Sequence, residues 1–77
     1  MSSSKELELQ NFNKQKEELE EEYAHLEKMR TECSKQIKAE GDLDKREQLK
    51  IKRQNYSDEI ARLLENIQRI EEQVNAF

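Results

Sequence analysis

His25 and Cys33 are the side chains of this sequence best suited to catalysis or metal binding. A nucleophilic cysteine needs a base such as histidine beside it, and zinc sites combine several Cys or His ligands. The chain has one residue of each type, at no ligand spacing. Its carboxylates form no pair that the sequence assigns to a pocket, and a single glycine cannot build a Gly-rich phosphate loop. We therefore expect no enzyme activity, no metal and no cofactor.

The composition favours long amphipathic helices over a compact mixed fold. The chain has 77 residues, of which 42% are charged and 32% hydrophobic, with one glycine and no proline. So short a chain holds at most one domain, which we expect to span residues 1–77. The net charge of −4 argues against specific nucleic-acid binding, and no segment resembles a signal peptide or a membrane span. We expect a cytoplasmic protein, with a nuclear or cytoskeleton-associated location left open.

Apolar residues recur every seven positions in two interleaved series, the a and d positions of a coiled-coil heptad. The pattern is regular in the second half and is interrupted by Lys16, Arg30 and Glu40 in the first. Neither half alternates like a strand, so we predict helices over about residues 5–40 and 44–76. The predicted core residues are Leu9, Phe12, Leu19, Tyr23, Leu26, Ile60, Leu63, Ile67, Ile70, Val74 and Phe77.

The phase of the heptads predicts a bend at residues 41–43. Glu40 and Leu49 are the d positions on either side of Gly41, and nine steps of about 100° place them half a turn apart. A straight helix would carry two apolar stripes on opposite faces, whereas an antiparallel hairpin joins them if the numbers of facing residues add up to about 86. We therefore predict an all-α fold, an antiparallel two-helix coiled-coil hairpin, with dimerisation left open. One continuous helix that tolerates the glycine is the alternative.

Two local signals support the bend. Gly41 suits the left-handed conformation that ends many helices. Asp44, with Glu47 three positions later, resembles a capping box at the start of the second helix. Both are expectations about the backbone that the structure can test.

Charge is segregated along the predicted hairpin. Residues 28–54 around the bend carry nine basic and five acidic residues, a net charge of +4, and the rest of the chain carries −8. A basic tip could dock on an acidic polymer or membrane surface, although charge runs on coiled coils are usually solvated faces. The candidate partner-binding residues at the tip are Gly41, Asp42, Lys45, Arg46, Lys50 and Lys52. Apolar residues off the main seam, expected at the surface, are Met29, Leu43, Ile51, Ala61 and Leu64.

The segments "LEKM", "EGDLD" and "YSDEIARLLENIQRIEEQV" together resemble the Rho-binding HR1 finger, in the variety found in Cdc42-interacting F-BAR adaptors. In that family a charged first helix with a Lys-Met pair, here Lys28 and Met29, leads through a Gly-Asp bend to a second helix. The similarity spans about residues 14–74. The resemblance implies that Gly41, Asp42 and their neighbours face a small GTPase.

The sequence leaves two classes of function open. The first is a non-catalytic coiled-coil module for protein–protein interaction or scaffolding, with protein partners that include a second copy of the chain. The alternative is an HR1-like module that binds a Rho-family GTPase. Docking of the basic tip onto an acidic polymer or membrane surface is a third, weaker hypothesis.

Overall fold

The computed structural model describes the backbone of residues 3–76 and the side chains of residues 4–76 as two helices joined by a short bend. Helix α1 spans Ser3–Ala39 and helix α2 spans Leu43–Asn75, so the predicted bounds differ by one or two residues. The helices lie side by side in a rod of 63 × 15 × 12 Å. The all-α hairpin is confirmed. Within the described residues, neither helix contains an apolar stretch long enough to cross a membrane.

Three polar contacts between the helices give the register. The two residue numbers of each contact add up to 87, against the predicted value of about 86. The heptad pattern therefore places facing residues to within one position. The contacts join Lys16 to Glu71, Arg30 to Ser57, and Ser34 to Arg53.

The core is a single seam between the helices. Every a and d position from Leu9 to Glu40 and from Arg46 to Val74 is buried or half-buried. Each aliphatic side chain that is fully buried contributes about 1.5–3 kcal/mol. The best-buried residues lie in the middle of the rod and toward the bend, and the predicted core residues near the open end, such as Leu9, are only half-buried. Among the described side chains, the buried ones are Leu26, Cys33, Ile37, Ile60, Leu63 and Ile67. Phe77, also predicted for the core, lies outside the described residues.

Helix α2 begins after Asp42, which is its N-cap. The Asp42 carboxylate accepts hydrogen bonds from the backbone N–H groups of Asp44, at 2.9 Å, and of Lys45, at 3.3 Å. The predicted capping box at Asp44 is therefore wrong, because Asp44 already lies in the first turn. Two aspartates are adjacent candidates in the sequence. The earlier one caps the helix because its extended backbone lets the side chain reach the free N–H groups of that turn.

Gly41 does not adopt the left-handed conformation that we predicted. No glycine in the described chain has a positive φ. The Glu40 N–H still bonds to the Gln36 carbonyl at 2.9 Å, and the Glu40 carboxylate accepts from the Asp42 N–H at 3.1 Å. The chain therefore reverses direction here without a left-handed residue. A Cβ at position 41 would meet nothing within 4 Å, so neither the backbone nor its surroundings require glycine there.

Candidate interaction surfaces

One side of the hairpin, which we call the bridged side, is closed by side chains that reach from helix to helix. Arg30 Nη1 donates to Ser57 Oγ at 3.5 Å, and Arg53 Nη1 donates to Ser34 Oγ at 3.3 Å. Both arginines occupy a positions of the seam. Their aliphatic stems cover the core while their charged ends reach a hydroxyl on the facing helix.

Lys16 makes the third bridge, nearer the open end. Its Nζ lies 3.2 Å from Glu71 Oε1 on α2 and 3.9 Å from Glu20 Oε1 on α1. The Lys16 side chain is only 34% exposed, so a cation that interrupts the predicted heptad is accommodated in the seam. Because its partners are about half exposed, each pair contributes at most about 1 kcal/mol.

Tyr23 belongs to the same side of the seam. Its hydroxyl donates to Glu27 Oε1 at 2.7 Å, and Arg30 Nη2 lies 3.9 Å from that same oxygen. The hydrogen bond to the Glu27 carboxylate, with some help from burial and from the Glu27 charge, raises the pKa of Tyr23 above its ordinary value. The Arg30 charge opposes this shift. Tyr23 thus packs against the buried core while its hydroxyl bonds to a charged side chain at the surface.

The opposite side, which we call the groove side, carries three grooves along the rod. The first lies at the bend between Gln36 and Lys52, the second lies midway between Glu22 and Arg62, and the third lies between Gln15 and Ile70, farther from the bend. Glu22 lines both the second and the third groove, so these two are adjacent. The seam residues that form their floors are Leu19, Leu26, Leu49, Leu63 and Ile70. A smaller groove lies at the open end of the bridged side, beside Lys16 and Glu71.

The residues predicted for the tip do not form one patch. Gly41 and Asp42 are exposed at the bend. Lys45 and Lys52 are exposed and line the first groove, whereas Lys50 is paired with Glu47 at 3.2 Å outside it. The sixth residue, Arg46, is half-buried at an a position, with its Nε buried and without a hydrogen-bond partner. The bend therefore divides its cations between different faces.

Exposed apolar residues are scattered along the rod. Leu43, Ile51 and Leu64 are 74%, 62% and 47% exposed, as predicted, and Ala61 is exposed as well. Met29 is half-buried, so the expectation of a surface position for it was wrong. Leu7, which is 60% exposed, was missed, although its place two residues before Leu9 puts it off the heptad.

His25 and Cys33, the two residues singled out from the sequence as suited to catalysis or metal binding, do not form a site together. His25 is exposed, and Cys33 is a free thiol that is 3% exposed inside the seam. A small buried hydrophobic side chain is the usual role of such a cysteine. Within the described residues, no three His, Cys, Asp or Glu side chains are grouped so that they could hold a metal ion.

Comparisons with known proteins identify no relative. No family model, no curated protein and no solved structure matches this chain. Its function therefore has to be inferred from its own surfaces.

Proposed function

We propose that this chain is a non-catalytic coiled-coil module that binds protein chains along its shaft, as a scaffold or through self-association. The observation that supports this function best is the amount of surface left exposed, 6176 Å². A compact monomer of 9.3 kDa would expose about 5,000 Å². The excess, about 1,200 Å², is larger than the roughly 800 Å² that one partner contributes to a standard protein–protein interface.

The thin core supports the same proposal. Two helices of this size, with six buried side chains among the described residues, have little stability to spare without a partner. A partner that binds only the folded hairpin stabilises it by mass action. Binding along the shaft would thus supply both surface burial and stability.

Site-specific photo-crosslinking in cells tests this function. A photoreactive residue replaces Asn66 on the groove side, and the control carries it at Glu21, an exposed position on the outer face of α1. We expect discrete protein adducts from position 66 and none from position 21. The absence of any discrete adduct from the shaft would contradict the proposal.

A Rho-family GTPase site at the bend is the second candidate. It is supported by the exposure of Gly41 and Asp42 at the tip of an antiparallel hairpin, where the HR1 resemblance implies such a site. The test is binding of Rho-family GTPases in their GTP-loaded and GDP-loaded forms. Preference for the GTP form, lost on paired substitution of Gly41 and Asp42, would support this candidate, and equal or absent binding would reject it. Binding to anionic vesicles that collapses with added salt would instead favour a basic docking tip.

A further inference from the structure

We infer that the groove side is a self-association surface, on which α1 of one copy packs against α2 of a second copy with both bends at the same end. This inference rests on the proposed function and names the partner. It is carried by the contrast between the two sides of the hairpin. The bridged side is closed by contacts within the chain, whereas the groove side is lined by seam residues that stay only half-buried, such as Leu19 and Leu49.

The grooves are bordered by one edge, or lip, on α1 and by another on α2, and the two lips carry opposite charge. On the α1 lip, Glu18 and Glu22 line the grooves. On the α2 lip, Lys45, Lys52 and Arg62 line them, with Glu59 as the one acidic residue. Both stripes continue along the heptad. The exposed Glu32 lies two heptads after Glu18, and the exposed Arg69 lies one heptad after Arg62. The surface is therefore acidic along α1 and basic along α2.

Such a surface is complementary to itself in one orientation. A two-fold axis parallel to the rod places each α1 on the α2 of the other copy, so acidic lips meet basic lips along both strips. Residues whose numbers add up to 87 lie at one height of the rod. Glu18 is then level with the partner's Arg69, and Glu22 lies within one helical turn of the partner's Arg62. An axis perpendicular to the rod would instead set acidic α1 against acidic α1.

This orientation also brings the two basic bend halves together, which opposes association. Those charges are spread around the rod, and at physiological ionic strength interactions beyond about 8 Å between exposed charges are largely screened. The lip charges meet at contact distance and keep their attraction. The surface available is also sufficient, because the excess exposed area exceeds one partner's share of a standard interface.

A charge swap tests the inference. One variant carries Glu18→Arg and Glu22→Arg, and the other carries Arg62→Glu and Arg69→Glu. Sedimentation of the parent should show a dimer, and each variant alone should associate at least about tenfold more weakly, because like charges then face each other. An equimolar mixture should form a heterodimer, and a chain with all four substitutions should again form a homodimer. The control is Glu17→Arg with Glu21→Arg, the same change at the same spacing on exposed positions away from the grooves, and it should associate like the parent.

Two results would overturn the inference. The first is a parent chain that stays monomeric at all accessible concentrations, and the second is a mixture that fails to associate while both variants keep the helicity of the parent. The orientation is checked in the heterodimer with Ala39→Cys on one chain and Gln48→Cys on the other. Oxidation should join them at the bend, and a heterodimer in which these two cysteines do not link would contradict the orientation. If the parent is monomeric but position 66 still captures other proteins, the inference fails and the proposed function stands. If neither occurs, both fail.

Discussion

Lys16 Nζ lies 3.2 Å from Glu71 Oε1 and joins the two helices near the open end of the hairpin. The cation occupies a heptad core position, so the contact ties an interruption of the apolar pattern to the antiparallel register. It also distinguishes the two sides of the rod, because Lys16, Arg30 and Arg53 all reach across on the bridged side.

Replacing Lys16 with leucine should stabilise the hairpin. The position is half-buried, so an apolar side chain gains burial there, and the ion pair that is lost has partners exposed enough to be worth little. We expect the free energy of unfolding to rise by about 0.5–1 kcal/mol, measured by thermal or denaturant melting at one protein concentration. Lys14→Leu, at an exposed position, is the control and should change it by less than about 0.5 kcal/mol. A fall of more than about 1 kcal/mol in the free energy of unfolding of Lys16→Leu would mean that the lost ion pair outweighs the gain from burial.

Asp42→Ala should destabilise the hairpin, because the Asp42 carboxylate accepts from two N–H groups at the start of α2. The loss of an N-cap of this kind costs about 0.5–2 kcal/mol. Asp42→Asn is the control, since an asparagine side chain can still accept from the same groups. Denaturant melts should rank the parent and Asn variant together and above the Ala variant. The same loss from Asp44→Ala would point to a different cap.

Gly41→Ala should be neutral or stabilising. The backbone has no positive φ at this position and the space around it is open, while alanine lowers the entropy of the unfolded chain. The expected gain is about 0.4–1 kcal/mol in the same melts. A clear loss of stability would show that the bend needs glycine after all.

Tyr23 should titrate above the ordinary range of a tyrosine, because its hydroxyl donates to Glu27. A pKa that folding raises adds stability that is complete below the unfolded value of about 10 and is lost as the pH rises through the folded value. Glu27→Ala, which removes the acceptor, should lower the pKa of Tyr23. Phenolate absorbance in a Tyr56→Phe background measures it, with Glu17→Ala as the control. An unchanged titration in Glu27→Ala would exclude the hydrogen bond as the cause.

The heptad predicted the helix bounds to within two residues and the register to within one, because a core of period seven allows only a few ways to pair two stripes. The bend was predicted less well. Asp42 and Asp44 are both good caps by type, and the choice between them depends on which carboxylate reaches the free N–H groups. The bridged and groove sides could not be told apart from residue spacing. Arg30 and Arg53 each have a free choice of rotamer until a serine on the facing helix comes within reach.

A crosslinking scan around one helix tests most directly the claim that the shaft binds protein chains through its groove side. A photoreactive residue is placed in turn at the exposed positions Ala61, Arg62, Leu64, Glu65, Asn66, Gln68 and Arg69 of α2. The yield of discrete adducts should rise and fall with the helical period, with maxima at positions 62, 66 and 69 and the minimum at position 64, which lies farthest from them around the helix. A uniform yield, or a maximum on the outer face at position 65, would contradict the account.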